Sequence, residues 1–365
     1  MRKTGGRFLL LGMLLWLPFV VQADHKTLHV VFISPGHASS DNPTGHFWPE
    51  ASEFANAVAE DLGINLEILY GQRDSFRMQR LLKQVIERQE KPDYLLLVNE
   101  RFALTPLFEE LDSAKLPFFL AYNHHSKGTL EQQPKPRKHH KHWLGALLPD
   151  NEYAGFRLAE LLIQANDSGP VNILAFQGDN VTSAAVLRAR GLRLALKQFP
   201  RARLVYSISG EWSYDIPHKH TAGLLRRYPQ VNAIWAANGA MALGAINAME
   251  SIEANSSLPV ASINWDVTEI EALQQEKLYA SVGGHFMTAG WSLILLHDYH
   301  HGLDFVFDGG AYQQRRLFDA LTRENVQQYL PLLQRPDWRA LNFKRLSKHY
   351  NPELERYRFS VMDLK

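Results

Sequence analysis

Short runs of β-forming apolar residues alternate with amphipathic stretches along nearly the whole chain, and this alternation restricts the fold more than any other feature. The runs fall at residues 28–34 (LHVVFIS), 65–70 (NLEILY), 94–98 (YLLLV) and 117–122 (PFFLAY). Between them, residues 47–62 and 75–88 repeat apolar positions at helical spacing. The second half repeats the grammar, with runs at 171–176, 203–208, 231–236 and 258–263 separated by helical stretches that include 181–198, 218–228 and 240–253. Strands alternating with such helices imply right-handed βαβ units, hence parallel sheets covered by helices on both faces. About nine such units exceed one open sheet of ordinary size. With 365 residues, 45% of them hydrophobic, the chain can bury two cores. The expected architecture is α/β, with two Rossmann-like doubly wound lobes.

The first 23 residues are read separately. Arg2, Lys3 and Arg7 precede an apolar run from Phe8 to Val21, and Val21-Gln22-Ala23 supplies small residues for cleavage. This pattern predicts a secretory signal peptide. Its removal takes away three of the 39 basic residues and none of the 38 acidic ones, leaving a formal charge of −2. That balance offers no attraction to nucleic acid. The absence of cysteine excludes disulfides, thiolate metal sites, thiol catalysis and a lipid anchor on an N-terminal cysteine. A soluble exported chain of this kind is expected in a Gram-negative periplasm.

Residues 124–142 break the pattern, being basic, proline-containing and almost without aliphatics. They read as an exposed excursion between the halves. The tail from Asp319 reads as a helical extension rich in charge and aromatics (Trp338, Phe343, Tyr350, Tyr357, Phe359) that packs against a domain, and as an extra segment it favours a docking surface for a partner. The expected division is residues 24–143 plus about 284–303 for the first lobe, 144–283 plus about 304–318 for the second, and 319–365 for the extension.

No GxSxG, HExxH, GxxxxGK[ST] or strand-following GxGxxG occurs, so no catalytic role is assigned and no cofactor is expected. Histidines 124, 125, 139, 140 and 142 could hold zinc or copper. Their spacing lacks a helical i, i+4 pair, and Lys138 and Lys141 lie among them, so they read as solvated loop residues without metal. In a parallel α/β sheet, ligands bind outside the carboxyl ends of the strands. There the loop PGHASSDNPTGHFWPE runs into the first helix, and adjacent Phe47 and Trp48 differ by about 100° around its axis. One of them is expected to face a cleft.

The segments GDNVTSAAVLRARGLRLALKQFP (178–200), IWAANGAMALGAINAME and VASINWDVTEIEAL carry a further signal. Through R-x-x-G at Arg188–Gly191, N-x-x-MALGA from Asn238 and NWD ending at Asp266, the chain resembles the type I periplasmic binding proteins of the ribose-binding group. The likeness runs from residue 28 to about 303. It implies two lobes joined by a multi-strand hinge and a site made of Phe47, Trp48, Asn123, Arg188, Trp212, Asn238 and Asp266. It also implies a monomer that takes a sugar-like ligand to a membrane partner. That partner is an ABC permease, or alternatively a sensor kinase or cyclase; a histidine-dependent metal protein or enzyme is the remaining class. A polar small ligand suits the residues themselves, since aromatic rings cover the C–H faces of a sugar while amide, carboxylate and guanidinium groups bind its hydroxyl edge. A few charge-assisted bonds of about 1.5–3 kcal/mol each plus stacking reach micromolar affinity, about −8 kcal/mol. Gly239 and Asn123-His124 stand where sugar binders often carry charged residues, which leaves the ligand's identity open.

Overall fold

The computed structural model describes residues 27–128, 130–166, 168–252, 258–334 and 337–364; the expected signal peptide lies outside the described residues. The first half runs β1 (His29–Ser34), α1 (Phe47–Leu62), β2 (Asn65–Tyr70), α2 (Ser75–Ile86), β3 (Tyr94–Leu97), α3 (Phe108–Ser113), β4 (Phe118–Ala121) and β5 (Trp143–Pro149). The second half runs α4 (Asn151–Gln164), β6 (Val171–Gln177), α5 (Ser183–Gln198), β7 (Ala202–Ser209), α6 (Asp215–Arg227), β8 (Ala233–Ala236), α7 (Gly239–Glu250), β9 (Val260–Asn264), α8 (Val267–Gln274) and β10 (Ala280–Gly283). The chain closes with α9 (Thr288–His300), β11 (Tyr312–Arg315), β12 (Asp319–Thr322) and α10 (Val326–Leu333).

These strands form two six-stranded sheets with the same winding, β11-β5-β4-β3-β1-β2 and β12-β10-β9-β8-β6-β7. The first is wholly parallel; in the second, β12 alone runs antiparallel, against β10. Every residue of β3, β4, β5, β8, β9 and β10 is buried, as strands covered on both faces must be. Local chemistry sets the helix boundaries. Asp74 caps α2 by accepting from the backbone N–H groups of Phe76 and Arg77, and left-handed Gly63 ends α1.

The chain exchanges between lobes at three neighbouring places: Pro149–Asp150, Gly284 (φ +102°) and residues 316–318. The Asp150 N–H donates to Arg315 O at 2.9 Å, tying the first crossing to the third. Residues 284–303 return to the first lobe, where α9 lies against α1. The other exchange points differ from the sequence reading. Residues 143–149 and 312–315 belong to the first sheet, and 319–322 to the second. β11 and β12 have four residues each, and their partners lie far away in sequence.

The tail is not a helical projection. Its one α-helix among the described residues, α10, has eight residues and sets Tyr329 against Trp265 of the second lobe at 5.4 Å. Residues 337–364 then lie along the first lobe. Trp338 and Phe343 pack on Phe54 at 5.3 and 5.4 Å, and Phe359 stacks on Trp291 at 5.3 Å. Buried Asp298 of α9 accepts from Tyr357 Oη (2.8 Å), Lys348 N (2.6 Å) and Ser347 Oγ. Trp338, Phe343 and Phe359 are spent on this packing.

The histidine excursion also departs from expectation. His124, His125 and His140 are buried. His125 packs on Phe108 (4.9 Å), His140 (5.2 Å) and Trp143 (4.6 Å). Burial holds His124 and His125 at a pKa of about 4, so both stay neutral imidazoles packed as aromatic rings. Among the described residues, no group of three or more His, Asp or Glu is placed to hold a metal ion, and no helix is long and apolar enough to cross a membrane.

Candidate functional site

The carboxyl ends of the parallel strands in both sheets converge on one cavity between the lobes, with about 570 Å³ of empty space including its mouth. From the first lobe come Thr44, Phe47, Trp48, Arg73, Glu100, Tyr122, Asn123 and Pro149; from the second come Asn151, Thr182, Ala184, Arg188, Trp212, Asn238 and Asn264; His285 follows the second crossing.

Phe47 and Trp48 open α1, and both line the cavity, where the alternation of helix faces predicts one. At the first turn the cleft lies beyond the end of the helix as well as beside it, so neighbouring side chains can reach it. Their rings meet edge to face at 5.0 Å, and each also meets Tyr122, at 6.0 and 5.1 Å. Gly36 makes room for this cluster: a Cβ there would lie 2.2 Å from Trp48 Cβ. Tyr122 holds φ +66° and is tied by its hydroxyl, which donates to Phe286 O at 2.7 Å and accepts from Ala289 N at 3.1 Å. Arg73 and Trp212 also adopt left-handed backbone, at φ +61° and +62°. Strained non-glycine residues gathered at strand ends mark a site the fold holds in place.

Arg188 is brought in by the packing of α4 against α5. A Cβ at Gly191 would lie 2.0 Å from Glu152 O, and one at Gly155 would lie 2.0 Å from Arg188 O. The glycine of R-x-x-G therefore lets the two helix backbones touch, which sets Arg188 beside the start of α4. Its Nε donates to Asn151 Oδ1 (2.8 Å), Nη1 to Ala237 O (2.6 Å) and Nη2 to His285 Nε2 (2.8 Å). The guanidinium lies 5.5 Å from the Trp212 ring centre. Burial lowers its pKa to about 9, against the pull of Glu269 and Glu100, so it remains charged at neutral pH. Burial, and then the charge of Arg188, drives the His285 imidazole well below its usual value, so that ring is neutral.

Asn238 caps α7, with Oδ1 accepting from Met241 N at 2.9 Å and Nδ2 donating to Trp212 O at 3.0 Å. Asn123 accepts from Ser183 Oγ (2.9 Å) and donates to Glu100 (3.2 Å). Asp266 stands apart. It caps α8 in a reciprocal capping box with Glu269 and does not line the cavity, which Asn264, two residues earlier at the end of β9, does instead. Sequence reasoning missed the Arg73–Glu100 ion pair (2.7 Å), Tyr122, Asn151, Asn264 and His285. The available signal was position: each sits at or just past the end of a strand or a crossing.

Beside the cavity the lobes touch. Arg101 pairs with Asp179 (3.2 Å) and Glu211 (3.0 Å), the His124 N–H donates to Ser183 Oγ (3.2 Å), and the Tyr214 N–H donates to Pro43 O (3.0 Å). Burial acts to raise the Asp179 carboxyl, but hydrogen bonds from Thr182, Trp212 and Val181 outweigh it and hold it at about 2. An aromatic-walled, amide-rich pocket with both lobes drawn over it can hold a small polar molecule from several sides at once.

The model for the periplasmic binding protein domain matches residues 38–297. The D-apiose import binding protein of Paraburkholderia graminis is 23% identical over 232 residues, 63% of this chain and 68% of that one. A galactofuranose-binding protein of Escherichia coli is 21% identical over 199 residues, 54% and 59% of the two chains. Among solved structures, a periplasmic sugar-binding protein from Pseudomonas fluorescens superposes with a TM-score of 0.81 at 33% identity, covering 92% of this chain and 99% of that one.

Proposed function

Because the chain belongs to the periplasmic binding protein domain family, we propose that it is a periplasmic solute receptor that closes two lobes over a small sugar-like ligand and presents the closed form to an ABC-type permease. The two lobes rotate about the three crossings, as hinge closure requires. Phe47, Trp48 and Trp212 cover the apolar faces of the ligand, while Arg188, Asn123 and Asn238 bind its polar edge. No bond of the ligand is broken. The observation that carries this reading is the cavity formed jointly by the strand ends of both lobes, with ion pairs and hydrogen bonds bridging its rim.

Solution scattering combined with calorimetry tests it. A ligand from a panel of pentoses, hexoses and their acids is expected to bind at micromolar affinity, to reduce the radius of gyration, and to be recovered chemically unchanged. A panel that leaves the scattering curve unaltered, or a compound that is turned over, contradicts the proposal.

A further inference from the structure

The charges of the cavity do not cancel. Three charged side chains line it: Arg73, Glu100 and Arg188. Arg73 and Glu100 neutralise each other at 2.7 Å, and the second oxygen of Glu100 is taken by Asn123. Arg188, 4% exposed, donates only to neutral acceptors: an amide oxygen, a backbone carbonyl and an imidazole nitrogen. The carboxylates whose fields reach it, Glu269 and Glu100, act from beyond ion-pair distance. Glu269 is turned away, binding Ser262, Ser281 and the backbone N–H groups of Trp265 and Asp266. A buried guanidinium without a contacting carboxylate is a costly arrangement that an anionic guest would relieve.

The hydrogen-bonding groups left over point the same way. Of the five N–H groups of a guanidinium, three are used here and two remain. A guanidinium only donates, so His285 Nε2 accepts and its proton sits on Nδ1, which is buried without a partner. Tyr122 has its hydroxyl engaged both as donor and as acceptor. Asn264 lines the cavity from the end of β9 and adds an amide. The unspent capacity is weighted toward donors, whereas a neutral sugar brings hydroxyls that must also donate.

We propose that the preferred ligand carries one carboxylate, a sugar acid rather than a neutral sugar, and that Arg188 receives that group with His285 and Asn264 beside it. One uncompensated positive charge calls for one negative charge. A phosphate ester, at about −1.5 to −2, overshoots it inside a cavity that holds one unpaired cation and is lined on both sides by the rings of Phe47, Trp48, Tyr122 and Trp212. This inference rests on the reading of the cleft as a sugar site and goes beyond it by fixing the ligand's charge.

Matched pairs test it by calorimetry on the mature protein: D-galacturonate against D-galactose, L-arabinonate against L-arabinose, and ribose 5-phosphate against ribose. The expected result is binding of at least one acid tenfold or more tighter than its neutral partner, with that ratio collapsing toward one in Arg188→Gln. His285→Gln keeps an acceptor for Arg188 but loses the Nδ1 proton, and it should weaken the acid more than the neutral sugar. The wild-type ratios decide the matter even where a variant folds poorly. Neutral sugars bound as tightly as their acids, or a preference confined to the phosphate ester, would overturn the inference and leave the sugar-binding reading intact. If no compound bound and the scattering showed no compaction, both would fall.

Discussion

The two lobes share one winding and differ in what they bring to the cleft. Strand for strand, β11-β5-β4-β3-β1-β2 corresponds to β12-β10-β9-β8-β6-β7. Yet the first lobe contributes the Phe47, Trp48 and Tyr122 cluster and an ion pair already closed on itself. The second contributes an unneutralised guanidinium with Trp212 and three asparagines. Apolar alternation dictates the architecture of both, because any sequence with that pattern must bury the same faces. The few residues past each strand end are free of that demand, and there the lobes diverge. The first lobe is also buttressed by residues 337–364, which have no counterpart on the second among the described residues.

The buttress gives the largest expected effect. Asp298→Ala strips a buried carboxylate from Tyr357, Ser347 and the Lys348 N–H and should cost about 4 kcal/mol, because several buried donors lose their partner together. Although burial acts to raise it, the carboxyl is held below its ordinary value by bonds from His297, Ser347, Tyr357 and Lys348. This contribution is therefore complete above pH 3.8 and disappears as acid reaches the lower folded pKa. Urea titration at neutral and acid pH measures both effects. A loss within 1 kcal/mol would mean that the tail is an ornament and the lobes are more alike than they look.

Next in size is a pair of glycines, one in each lobe. A methyl group on Gly191 meets Glu152 O at 2.0 Å, backbone against backbone, whereas one on Gly290 meets the Phe54 ring at 2.6 Å and Val58 Cγ2 at 2.9 Å. A ring and a methyl group give way more readily than a helix backbone does, even in a packed core. Alanine gains about 1 kcal/mol of helix propensity at either position. Gly191→Ala is expected to lose a net of about 2 kcal/mol, and Gly290→Ala under 1 kcal/mol. Equal losses by thermal melting would break the distinction.

Asp266 and Arg188 separate stability from binding within the second lobe. Asp266→Ala should cost about 1 kcal/mol as a lost helix cap and leave ligand affinity within twofold. Arg188→Ala should weaken the ligand tenfold or more with little change in fold. Calorimetry beside denaturation resolves the two, and a tenfold affinity loss in Asp266→Ala would return that carboxylate to the site.

These contrasts also show what the sequence could reveal. Strands 28–34, 65–70 and 171–176 announce themselves as runs dominated by β-forming apolar residues, mostly buried in β1 and β6 and half-buried in the edge strand β2. The four-residue strands YQQR and DALT carry no such run and owe their place to β5 and β10, more than thirty residues away. His125 looked solvated because Phe108 and Trp143, the surfaces that bury it, lie in other elements. Arg188 was named through the resemblance that R-x-x-G carries, and the structure places it on the cavity by a close helix crossing. Glu100 and His285 belong to no local pattern, and only the convergence of strand ends reveals them.

The smallest effect probes the seam where the lobes meet. Glu50 of α1 accepts from Val267 N at the start of α8 (3.0 Å) and borders a second cavity with His46, Glu53, Trp265 and Trp338. Burial, then Asp266, and also Glu269 and Glu53 push its carboxyl well above the usual 4.5, while the Val267 N–H opposes them. A raised folded pKa means that the folded, closed form binds more protons than the unfolded chain in that window. Stability therefore falls as pH climbs from 4.5 through the raised value. Glu50→Gln keeps an acceptor for Val267 and removes the titration. The wild type should lose more of its melting temperature between pH 4.5 and 7 than the variant does, and the two should converge at the acid end. Parallel curves would mean that the seam carries no charge penalty, leaving the contrast between lobes to the cleft and the buttress alone.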